Sequence, residues 1–142
     1  MKRKICVACL LFLALFVLSA CSKPSAVLQT NAGSFKTGTI RLHADYSPQQ
    51  TPSEGTEFLA IPLISQDNSV DMSAVSDYFM KDNQTFLSAN GTRGALKFIA
   101  YESPKSNPNK VCPVLVFEVG TNAGEDLYPM TIEVGSTSFV FS

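Results

Sequence analysis

The sequence predicts an all-β domain, a β-sandwich or small barrel of about seven strands, carried behind a cleaved leader. Three observations carry that expectation. Short apolar runs with two-residue alternation recur after Phe35, turns rich in glycine and proline separate them, and no long run keeps a helical period.

The leader comes first. MKRK places three cations in four residues, and Ile5 to about Val17 is apolar, which gives the charged and hydrophobic regions of a secretory signal. A spanning helix takes about 20 apolar residues, and Met1–Ala20 falls short once its cations are set aside. Leu18-Ser19-Ala20-Cys21 resembles the bacterial lipobox, where a diacylglycerol joins the cysteine thiol before cleavage in front of it. Residues 1–20 are therefore read as a lipoprotein signal peptide and Cys21 as the lipidation site. Each buried methylene contributes about 0.8 kcal/mol, so two or more acyl chains hold stably where one is marginal. The anchor implies an extracytoplasmic chain on a cell membrane or outer membrane. Ser22, where an aspartate would favour inner-membrane retention, points to the outer membrane in a host that has two.

Cleavage removes three of the eleven Lys/Arg and none of the twelve Asp/Glu, leaving a net charge of −4. A mildly acidic chain without a basic run is a poor match for nucleic acid, whose binding rests on phosphate neutralisation. Overall acidity also repels anionic headgroups, so attachment is expected to rest on the lipid. Cys6 and Cys9 leave with the signal and Cys21 is acylated, so Cys112 has no intrachain partner. Within VCPVLVFEV it reads as a buried small hydrophobe.

Residues 21–34, small and polar, read as a flexible tether, and 35–142 as the β-domain. In GTIRLHADY, Ile40, Leu42 and Ala44 alternate with Arg41, His43 and Asp45, the pattern of a half-buried strand. SPQQTPSEGT is a loop. EFLAIPLIS is apolar on both faces and reads as a central strand, with Pro62 marking a bulge or unpaired edge. MSAVSDYFM fits one or two helical turns or a short strand. QTFLSA is a strand, NGTRG a turn tolerant of positive φ at Asn90-Gly91, and ALKFIAYES a strand placing Leu96, Phe98 and Ala100 on one face. KVCPVLVFEV, valine-dense, belongs in the middle of the sheet. LYPMTIEV and TSFVFS, split by Gly135-Ser136, form a type II′ hairpin.

Taken with the lipobox and tether, EFLAIPLISQDNS, KDNQTF and VLVFEV resemble the small bacterial lipoproteins that carry an immunoglobulin-like domain of unknown function. The resemblance covers about 35–142; Asn107-Pro108-Asn109 and Gly120 stand where those proteins commonly have a glycine turn and a proline. It implies an immunoglobulin-like β-sandwich and an adhesive or ligand-binding role, and it transfers no functional residue.

Chemistry-bearing motifs are sparse. His43 is the only histidine, no GxSxG elbow accompanies it, and an exposed strand position is the expectation; no residue is assigned a catalytic role. One histidine and one cysteine in the domain do not make a transition-metal site. Asp67, Ser69, Asp71 and Ser73 imitate the start of a calcium loop, but Met72 and Tyr78 occupy the positions that need glycine and glutamate, so turn capping is the reading and no metal or cofactor is expected. Glu125-Asp126 read as a solvated loop, and Tyr46, Tyr78, Tyr101 and Tyr128 as core-edge rings. The expected function is a non-catalytic, lipid-anchored binding or interaction module of the envelope, with an envelope protein or surface polymer as partner. The alternatives are a carrier of small apolar ligands, with Phe98, Phe117, Phe139 and Phe141 lining its cavity, and a carboxylate-based hydrolase.

Overall fold

The computed structural model describes residues 27–46, 50–67, 69–121 and 127–141. The signal peptide, Cys21, the tether as far as residue 26, and Glu125-Asp126 lie outside the described residues.

Eight antiparallel strands form one sheet: β1 (Val27–Thr30), β2 (Gly33–Thr37), β3 (Thr56–Ser65), β4 (Thr85–Ala89), β5 (Thr92–Glu102), β6 (Cys112–Gly120), β7 (Met130–Val134) and β8 (Thr137–Phe141). Their order across the sheet is β1-β2-β3-β6-β5-β4-β7-β8, and the sheet curls into a nearly closed barrel. The expected all-β class is therefore correct. β4, β5 and β6 follow one another through hairpins, and β7 returns to lie beside β4, which is the Greek-key order.

β6 lies between β3 and β5 and is buried along both faces from Cys112 to Phe117, as its valine-dense run predicts. β3 sits beside it, pairing Thr56–Pro62 with Gly120–Val114. Pro62 stands where pairing to β6 ends and pairing of Leu63 with Thr37 of β2 begins, so its missing N–H falls at a handover. Two turns match their residues. Asn90 and Gly91, at φ 46° and 75°, link Ala89 to Thr92 in the doubly left-handed geometry of a type I′ hairpin. Gly135, at φ 57°, opens the two-residue turn between Val134 and Thr137.

The tether expectation is corrected at its C-terminal half. Val27–Thr30 and Gly33–Thr37 form a hairpin that continues the sheet from β3. Leu28 and Phe35, each 0% exposed, supply its inward contacts, and the intervening polar residues face out. Two apolar side chains are enough because the hairpin only has to cover the end of an existing core.

The early strand is also corrected. Residues 38–46 run along β3 through Gly38 N to Pro62 O (2.7 Å), the Arg41–Ala60 bridge and Ala44 N to Phe58 O (3.0 Å), but they form no regular strand. His43 has φ 54°, a left-handed kink. Ile40 and Leu42 before it pack against the main core, whereas Ala44 and Tyr46 after it pack on the opposite, outer face of the sheet.

β5 switches faces in the same way. A register shift between Leu96 and Phe98 leaves Lys97 as an extra residue opposite β6. Leu96 therefore joins the interior while Phe98 and Ala100 lie outside, so these three side chains do not share one face.

Between β3 and β4, α1 (Met72–Ser76) runs into a single π turn, Asp77–Lys81. Asp71 Oδ1 accepts from Ser73 N (2.9 Å) and Ala74 N (3.3 Å), the expected capping role. Val75 and Phe79 turn into the barrel, whose interior is filled by Leu59, Ile61, Leu115, Phe117, Met130 and Ile132.

Candidate functional site

Phe117, Phe139 and Phe141 belong to the barrel core and Phe98 to a small outer cluster, and none of the four lines the three concavities described below. The outer cluster is Phe58, Ala60, Val114 and Val116, capped by Tyr46 and Phe98. Tyr46, Phe58 and Phe98 meet edge to face, with centroids 5.2–6.2 Å apart.

Beside this cluster a groove of about 560 Å³ opens on the same outer face. Its floor is Pro62 and Ile64 of β3 with Cys112 and Val114 of β6; Gly38 and Thr39 form one wall, and Glu102 to Lys105 the other. Two further concavities, of about 290 Å³ at Phe79–Phe86 and about 340 Å³ at Ser88–Gly91, are smaller.

A charged bridge closes one end of the groove. Arg41 Nη2 donates to both carboxylate oxygens of Glu102 (2.7 and 2.8 Å), and Tyr46 Oη donates to Glu102 Oε1 at 2.9 Å. Burial, then the hydrogen bond to Glu102, pushes the Tyr46 hydroxyl up to about 12. The hydrogen bond to Glu102 outweighs burial in raising Arg41. Arg41 therefore stays charged and Tyr46 protonated through the neutral range, and the bridge acts as a strut across the curved face.

Cys112, 5% exposed, lies under this groove as a free thiol. Burial among apolar side chains suppresses the thiolate's access to reagents. Alkylation by a maleimide in the folded protein is expected to be at least about tenfold slower than in urea, read by mass spectrometry; equal rates would show an open thiol.

His43 is exposed, as expected, and its Nδ1 lies against the buried carboxylate of Glu57. No nucleophile accompanies them in the described hydrogen bonds. Among the described residues no group of three or more His, Cys, Asp or Glu is placed to hold a metal ion.

A second anchored carboxylate, Glu118, ties the opposite end of β6 to the loop before β3. Its oxygens accept from Ser53 N and Thr56 Oγ1, each at 2.7 Å, and meet Lys97 Nζ at 2.6 Å. The Lys97 contact, then the Ser53 and Thr56 bonds, holds its carboxyl at about 2. A folded-state value below the unfolded one stabilises the fold at pH above about 4.5, and that contribution disappears as pH falls toward about 2. Glu118→Gln is expected to cost about 2 kcal/mol at neutral pH and to flatten this acid limb in urea titrations run at several pH values.

Sequence reasoning singled out Cys112, His43 and Tyr46 but not the groove. Its floor and walls together come from four separated segments, and Arg41 and Glu102 lie 61 residues apart. No protein family, curated protein or solved structure matches the chain.

Proposed function

We propose that this chain is a lipid-anchored, non-catalytic binding module of a bacterial cell envelope, held by acyl chains on Cys21, and that the outer groove is its binding surface. The observation that carries the reading is the groove itself: an apolar floor on two central strands, walled by irregular segments and braced by the Arg41–Glu102–Tyr46 strut. Central strands give a rigid base, and loops at the rim give specificity, a division of labour common to binding domains.

The apolar floor also favours a second reading, a carrier for small apolar ligands of the envelope. The Greek-key order β7-β4-β5-β6 supports grouping the chain with immunoglobulin-like domains. One continuous curled sheet is its departure from the two facing sheets of that fold.

Crosslinking in the native envelope tests the assignment. Ile64 is 41% exposed on the groove floor, so Ile64→Arg blocks the groove without entering the core. The wild-type chain is expected to capture a protein, polymer or lipid that the Ile64→Arg chain and a tether-only control lose. Equal capture by all three overturns the reading.

A further inference from the structure

The cations of this acidic chain are unevenly committed. Arg41, Lys81, Arg93 and Lys97 each meet a carboxylate. Among the described residues the remaining cations are Lys36, Lys105 and Lys110, and all three belong to the groove end of the barrel. Lys105 lines the groove. Lys36 pairs directly with Ile64 across β2–β3, so the two side chains share the outer face. Lys110 stands two residues before Cys112, in the loop that begins at the groove wall. Glu102, the carboxylate lining this groove, is already engaged by Arg41. A chain that is acidic as a whole therefore offers a positive rim beside an apolar floor.

The start of the sheet lies at the same end. Val27, Lys36 and Ile64 form one row across β1, β2 and β3 on the outer face. Two strand spacings, about 10 Å, separate Val27 from Ile64. From Cys21 to Val27 the chain spans six residues, at most about 20 Å when extended. Acyl chains on Cys21 would hold this rim, and not the far end of the barrel, against the headgroups.

We infer that the groove binds one anionic phospholipid of the membrane that carries the anchor. The phosphate meets Lys36, Lys105 and Lys110, and an acyl chain lies along Pro62, Ile64, Cys112 and Val114. Clustered lysines beside a bilayer attract anionic lipid, and the apolar floor supplies what a purely electrostatic contact lacks. This inference rests on the proposed anchor at Cys21.

The test uses the mature acylated protein in nanodiscs that contain either phosphatidylglycerol or phosphatidylcholine with a photoactivatable acyl chain. Crosslinks are mapped by mass spectrometry. Phosphatidylglycerol is expected to label the peptides bearing Pro62–Ile64 and Cys112–Val114, and phosphatidylcholine to label them at least about tenfold less. The triple variant Lys36→Glu, Lys105→Glu, Lys110→Glu is expected to lose the phosphatidylglycerol labelling by a similar factor while its circular dichroism stays unchanged. Equal labelling by the two lipids, labelling untouched by the triple variant, or crosslinks to a second copy of the chain at these peptides overturns the inference. The intact mass of the same protein reports the anchor separately. If Cys21 carries no lipid, the anchor reading fails, and labelling of the full chain in detergent micelles containing the two photolipids then decides the groove alone, by the same criteria.

Discussion

Phe79→Ala is expected to destabilise the domain by about 3–5 kcal/mol, the range for deleting a buried aromatic ring. The ring is 0% exposed and enters the barrel core from the π turn at Asp77–Lys81. Its neighbours in the turn cannot collapse into the vacated space, because their backbone is held. Thr85 Oγ1 donates to Phe79 O at 2.7 Å, and Asn83 Nδ2 donates to Tyr78 O at 2.8 Å. The Tyr78 ring packs edge-on against Phe79 at 4.9 Å and loses that partner as well. Met80 is next in sequence and 44% exposed, so Met80→Ala is expected to stay within about 0.5 kcal/mol. Urea unfolding of the two variants side by side checks the contrast. Similar midpoints would show that the helical segment lies on the barrel without stabilising it.

Gly94→Ala is the other large effect, about 3 kcal/mol, at the upper end of the usual cost of overpacking. Gly94 pairs with Leu87 of β4, one residue before β5 takes up β6 at Ala95–Glu118. A Cβ built on Gly94 falls inside contact distance of the Glu118 carbonyl oxygen and 2.7 Å from Val119 Cγ1. Backbone cannot step aside as a flexible side chain can, so β5 must separate from β6 at this point. Gly91, in the hairpin turn, has nothing within 4 Å of its would-be Cβ. Gly91→Ala therefore carries only the cost of a left-handed residue, about 1–2 kcal/mol. Thermal unfolding should rank Gly94→Ala well below Gly91→Ala; the reverse order would mean that the close approach is relieved at little cost.

The parts of the fold that were legible are those written in a short stretch of chain. The central position of β6 follows from a run apolar on both faces, and the β7–β8 hairpin from Gly135-Ser136 between two alternating strands. Burial of Cys112 follows from its neighbours in the same run.

What stayed hidden depends on single residues that reset the alternation. The kink at His43 and the extra residue at Lys97 each send the following side chains to the other face, and a two-residue period carries no mark of either event. Gly94, read as part of a turn, is instead a strand residue chosen for close backbone approach. The β1–β2 hairpin escaped because a cover strand needs few apolar residues, here Leu28 and Phe35. The candidate site was the least visible of all. It exists only after residues 38–41, 62–64, 102–105 and 112–114 have been brought together by the sheet order.

Orientation on the membrane tests the account most directly. With the acylated protein in nanodiscs containing a headgroup-nitroxide lipid, paramagnetic broadening of backbone amide signals reports distance from the bilayer surface. Broadening is predicted to be strongest at Lys36, Ile64 and Lys105 and weakest at Thr56 and Gly120, at the far ends of β3 and β6, and at Asn90 in the β4–β5 turn beside them. A uniform profile, or one strongest at Asn90 and Gly120, would contradict a groove that faces the membrane.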